Sequence, residues 1–224
     1  MKNEFFTGWN HLLGTIATTA LLLPVFLIVS KKLYDNKSFF ALLLYYIFTF
    51  AHNLVRDKVI PVSDSFRDRI GLVNSYLDVP LILFFLMNFV EDIKLKKIIR
   101  YTIIGFLVYE AVILLAMGLN YQSSAWVAGP ELLIVLAFCI PLFLRQVRIS
   151  ISQRTETANA FLVSSIAFGY CILTFLYILY YCLKTQYQAD TYTLLYVSSF
   201  VSTVLMSIGL VLLKNRKDYK PAIR

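Results

Sequence analysis

Charged residues are scarce in this chain. Asp, Glu, Lys and Arg make up only 15% of its 224 residues, whereas 59% are hydrophobic and the mean hydropathy is +0.71. A water-soluble domain carries about a quarter charged residues, so an ordinary soluble fold is excluded. Histidine occurs only as His11 and His52, with no His-x-x-x-His pair, which removes the usual helix-borne zinc motif. The three cysteines, Cys139, Cys171 and Cys182, all fall in apolar runs. Cys171 and Cys182 lie eleven positions apart, about 16 Å along a helix, so they cannot pair. All three read as small packing residues. No Gly-x-Ser-x-Gly nucleophile elbow is present.

What the chain has instead is long apolar runs. Seven of them, near residues 10–30, 38–57, 70–91, 98–119, 124–145, 159–184 and 190–213, approach or exceed the roughly 20 residues that cross a hydrocarbon core. They do not alternate as barrel strands would, and an apolar segment in lipid must satisfy its backbone within itself, so each is read as a helix. The expectation is an all-α, polytopic membrane protein: one seven-transmembrane-helix bundle over residues 1–224. The first run ends in Ser30-Lys31-Lys32 without a small-x-small cleavage pattern, which favours a retained helix over a secretory signal.

Orientation follows from the basic residues. Alternate connecting segments hold six on one side and fifteen on the other, with five acids on each. The side rich in Lys and Arg is expected to be cytoplasmic, placing the N-terminus outside and the C-terminus inside, in a cell (inner or plasma) membrane. Clusters such as Lys94, Lys96, Lys97 and Arg100, or Lys214, Arg216 and Lys217, suit anionic lipid headgroups. Split among short loops with no recognition module, they do not read as nucleic-acid contacts. With no cytoplasmic domain evident, any signal would pass through a membrane protein partner or a separate cytoplasmic one.

Three carboxylates, Asp78, Glu110 and Glu131, remain inside the runs, where a charged group is costly and usually functional. Counted from the outer ends they lie at similar depth, and His11 and His52 approach the same level. Helical spacing groups polar residues into stripes: His11, Thr15 and Thr18; Tyr45, Thr49, His52 and Arg56; Asn74 and Asp78; Tyr170, Thr174, Tyr177 and Tyr181; Tyr192, Tyr196, Ser199 and Thr203. If these stripes face inward, they build a polar, tyrosine-rich cavity open to the outside. The candidate ligand-binding residues are Asp78, Asn74, His52, His11, Glu110, Glu131, Tyr45, Thr49, Tyr177, Tyr181 and Tyr196. Plainer readings exist for several. Glu131 follows Gly129-Pro130 and would cap a helix starting there, Glu110 would donate one interhelical hydrogen bond, the histidines would lie at headgroup level, and the Ser and Thr stripes would pack helices together.

A metal site could arise only if His11, His52 and Asp78 converged from three helices, so none is expected, and no cofactor is implied. Tyr76-Leu77-Asp78-Val79-Pro80-Leu81 loosely resembles the third helix of microbial rhodopsins. The last run has no lysine between Asp190 and Leu213, so a retinal Schiff base has no attachment point. Pro24-Val-Phe-Leu and Pro141-Leu-Phe-Leu, each with a basic residue seven positions after the proline, hint at an internal repeat of the transporter type or at two proline kinks. The leading expectation is a transporter or sensor that binds a small molecule or lipid in the outward cavity. The alternatives are an intramembrane lipid-modifying enzyme using carboxylate or histidine acid–base chemistry, and a structural or partner-binding membrane subunit.

Overall fold

A computed structural model describes residues 2–57, 59–153, 157–179 and 188–213, and helices dominate it, with no strand among them. In chain order the helices are α1 (Lys2–Ala20), α2 (Leu22–Ser30), α3 (Lys37–Arg56), α4 (Asp64–Leu86), α5 (Ile93–Met117), α6 (Tyr121–Gln153), α7 (Thr157–Tyr177) and α8 (Gln188–Leu212). Among the described residues seven segments are long and apolar enough to cross a membrane: Trp9–Ser30, Lys37–Arg56, Ser65–Phe89, Ile93–Met117, Gln122–Ser152, Thr157–Tyr177 and Tyr192–Leu212.

Local chemistry explains most boundaries. Asn36 Oδ1 accepts from the Ser38 amide at 2.9 Å to cap α3, and Asp92 Oδ1 does the same for Lys94 at the start of α5. Such caps satisfy amides that the first turn leaves without partners. Ser63 caps α4 through the Phe66 amide, so that helix begins at Asp64 rather than near 70, and the connection from α3 to α4 is shorter than the sequence suggests. The first run is not one helix. Pro24 has no amide to donate to the Ala20 carbonyl and its ring crowds that group, so α1 closes at Ala20 and α2 opens at Leu22. Pro130 and Pro141, by contrast, lie inside one 33-residue helix, α6, which extends well past the expected 124–145. Asn120 and Ser123 exchange side-chain bonds to each other's backbone amides at its start.

Helices α2, α3, α4, α6, α7 and α8 follow one another as a ring, α1 continues α2 along α8, and α5 packs outside against α4 and α6. Only 17% of the α5 membrane-length window is buried, the smallest share of the seven. Helices α7 and α8 share the most extensive packing, and small residues line their crossing. Ser165 Oγ donates to the Ser202 carbonyl at 2.7 Å and Ser202 Oγ to the Ser165 carbonyl at 3.0 Å, while Gly209 lies against Leu162.

The end that carries the basic loops is tied by two charged contacts. Lys31 Nζ donates to the Leu210, Val211 and Leu213 carbonyls at 2.7–2.8 Å, closing the carboxyl end of α8 with a side chain from α2. Removal from water lowers the Lys31 ammonium pKa below the ordinary lysine value, and the carbonyl acceptors are what it gains there. Arg145 on α6 pairs with Glu91, just before α5.

Candidate functional site

Inside the ring lies a cavity of about 240 Å³ whose walls come from α3, α4, α7 and α8, with Leu21 from the α1–α2 junction. The α3 stripe supplies one wall as its spacing predicts: Tyr45, Thr49, His52 and Arg56 all line it. From α4 come Asn74 and Asp78, from α7 Tyr170, and from α8 Tyr196, Ser199 and Thr203. Six of the eleven candidate residues thus border one space: Asp78, Asn74, His52, Tyr45, Thr49 and Tyr196.

Charge divides this cavity along its length. Among the described residues lining it, Arg56 is the one permanent cation and Asp78 the one carboxylate. Tyr45 lies within electrostatic range of Asp78, and Arg56 is eleven residues farther along α3, about 16 Å of helix. The cationic end is tightly arranged. Arg56 Nε donates to Asp57 Oδ1 at 3.0 Å, and the guanidinium lies 5.3 Å from the Tyr196 ring centroid, a cation–π geometry. Arg56 Nη2 is buried and makes no hydrogen bond. The Tyr170 hydroxyl, in a residue only 3% exposed, also has none. Thr49 Oγ1, also in the lining, is bonded to nothing either. Buried polar groups are nearly always bonded, so three unsatisfied groups on the facing α3 and α7 walls are well suited to a polar occupant. The serine wall offers less than its composition suggests, because the Ser165 and Ser202 hydroxyls are spent on each other's carbonyls.

Other candidates are placed elsewhere. Glu110 and Glu131 are buried, 3% and 5% exposed, but neither lines the cavity. Glu131 lies on α6 and Glu110 on α5, both within electrostatic range of Asp78. The capping reading of Glu131 is overturned, because α6 begins at Tyr121 and the carboxylate falls three turns inside it. Tyr177 continues the α7 stripe but turns toward α6, where Gly129 leaves a socket: a Cβ there would lie 2.7 Å from the Tyr177 hydroxyl. Tyr181 lies outside the described residues.

His11, with Thr15 and Thr18, lines a second opening between α1, α3 and α8, separated from the first by Tyr196. His11, His52 and Asp78 therefore do not converge, and among the described residues no three His, Cys, Asp or Glu side chains are grouped as ligands for one ion. Nor do His52 and Asp78 share one depth. His52 packs on Gly71, where an added Cβ would meet Nε2 at 3.2 Å, and Asp78 is seven residues, about 10 Å, deeper along α4.

Several lining residues escape the stripe argument. Tyr46 and Asn53 also face the cavity, as does Ser198. The signal is visible in retrospect: Tyr45-Tyr46 and His52-Asn53 are adjacent polar pairs seven residues apart, which widens the polar face of α3 beyond a single stripe. No family model, curated protein or solved structure matches the chain.

Proposed function

We propose that this protein is a seven-helix membrane protein, amino end outside and carboxyl end cytoplasmic, that binds a small polar molecule or lipid headgroup in its central cavity as a transporter or sensor. The observation that carries the reading is the cavity itself, a space within an apolar bundle lined by a cation, a carboxylate, two amides and several tyrosines, with Arg56 Nη2 and the Thr49 and Tyr170 hydroxyls left without hydrogen bonds. Polar stripes of a membrane helix are costly against lipid, and a ligand gives these groups a use that helix packing alone does not. The charge imbalance of the connecting segments supports the orientation.

Cysteine labelling tests the cavity. With the three native cysteines replaced by alanine, Thr49→Cys and Ser199→Cys should react with a small membrane-impermeant thiol reagent added outside, whereas Tyr177→Cys, facing α6, should stay protected. Equal protection of all three would overturn an outward-open cavity.

A second reading, an intramembrane enzyme acting on lipid, draws on the Asp78, Glu131 and Glu110 group, since carboxylates near one another in a low-dielectric site are suited to acid–base work. Lipid turnover by the purified wild type, lost in Asp78→Asn at unchanged thermal stability, would favour it.

A further inference from the structure

The second opening differs chemically from the first. It is a groove of about 430 Å³ between α1, the carboxyl end of α3 and the amino end of α8, bordered by Gly14, Thr15, Thr19, Leu54, Val59 and Tyr192. Its polar side chains are mostly committed already. Thr15 donates to the His11 carbonyl at 2.9 Å, and Thr19 to the Thr15 and Ile16 carbonyls, all on their own helix. Thr18 Oγ1 donates to Asp57 Oδ2 at 3.4 Å, the Oδ1 of the same carboxylate is held by Arg56, and Asn10 Oδ1 accepts from Thr193 at 2.5 Å. A groove whose hydrogen-bonding groups are largely spent has little to give a polar solute, and it accepts an alkyl chain without leaving polar groups bare. Thr15, Thr19, Val59 and Tyr192 are exposed, so the groove opens on the outer face of the bundle.

Groove and cavity meet at one residue. Tyr196 borders both. One side of its ring faces Gly14, where a Cβ would lie 3.1 Å from it, and the Arg56 guanidinium lies over the ring. Arg56 lines the cavity, its partner Asp57 lines the groove, and Nη2 remains unbonded.

We propose that the groove and the cavity together form one site for a single-chain anionic amphiphile drawn from the membrane, its alkyl chain along α1 and its headgroup at Arg56. This rests on the reading of the central cavity as a ligand site and adds the class of ligand. The headgroup is anionic because the unbonded group at the junction is a guanidinium, which can only donate and which suits carboxylate or phosphate oxygens. The chain lies outside the ring because the satisfied, apolar surface is there.

The test uses the full chain in phosphatidylcholine nanodiscs and a dodecyl phosphate carrying a diazirine at the chain end. Photolysis should place most crosslinks on the α1 segment 14–19 and on α8 near Tyr192. Unlabelled dodecyl phosphate should compete at least tenfold better than dodecanol, and Thr15→Trp or Thr19→Trp, which fill the groove from exposed positions, should cut the yield at least fivefold. Arg56→Gln should erase the preference for phosphate over alcohol and Arg56→Lys should keep part of it, which separates loss of charge from loss of fold. Crosslinks spread over lipid-facing helices such as α5, unchanged by the tryptophans, would overturn the proposal. Butyl phosphate separates the two levels, since it lacks the chain. If it protects Ser199→Cys from labelling while crosslinks ignore the groove, the cavity reading stands and the amphiphile does not. If neither phosphate protects Ser199→Cys, both fail.

Discussion

Tyr170 shows how far a single side chain can be read. It is buried on α7, lines the cavity and has no partner for its hydroxyl. An unsatisfied buried hydroxyl gives the fold nothing, and its removal relieves a desolvation cost of about 1–3 kcal/mol. Tyr170→Phe should therefore leave thermal unfolding in detergent unchanged or shifted slightly upward, while weakening ligand retention. A drop of more than about 1.5 kcal/mol would mean that the hydroxyl is bonded within the protein. Asp78 and Asn74 were legible as site residues because a carboxylate in an apolar run is conspicuous and an amide one turn away shares its face. Glu131 and Glu110 were equally conspicuous and lie elsewhere, because an intramembrane acid needs only to leave lipid, and more than one interior direction satisfies that.

Helices illustrate a different limit. Their existence follows from apolar length, yet their pairing depends on shape. α7 and α8 are neighbours because Gly209, Gly169, Ser165 and Ser202 let their backbones approach. A Cβ at Gly209 would lie 2.7 Å from Leu162 Cδ2 and 3.0 Å from the Leu162 backbone nitrogen, so the strain falls partly on main chain that cannot rotate away. Gly209→Ala should cost about 1–3 kcal/mol, the usual range for overpacking, and lower the detergent melting temperature. Gly105→Ala on α5, where nothing lies within 4 Å, is the control and should be neutral or slightly stabilising. The α3 stripe could be read from spacing alone because all four of its members face one side. The α7 stripe leaves the cavity after Tyr170: Thr174 donates to the Tyr170 carbonyl of its own helix, and Tyr177 turns away because Gly129, on another helix, leaves a socket for the ring, which no pattern within α7 encodes.

At the scale of the molecule, the proposed orientation makes a direct prediction. Ser63 precedes α4 and Lys94 lies in the first turn of α5, so one membrane crossing separates them. In the cysteine-free background, Ser63→Cys should be labelled on intact cells by an impermeant maleimide, and Lys94→Cys only after permeabilisation. The reverse pattern would invert the topology. Composition and periodicity determined the class of molecule, the number of membrane-length segments, the charge asymmetry and the few titratable residues among them, because each is a property of one segment in contact with its solvent. Tertiary structure decided which polar faces meet: it joined the faces of α3, α4, α7 and α8 around one cavity, set α1 and His11 beside a separate groove, and placed α5 on the outside. The packing of α1 on α8, α4 on α3, α6 on α7 and α8 on α7 involves close approach at Gly14, Gly71, Gly129 and Gly209 respectively. What matters at each is the side chain that another helix brings to the gap, and that cannot be read from the glycine's own segment.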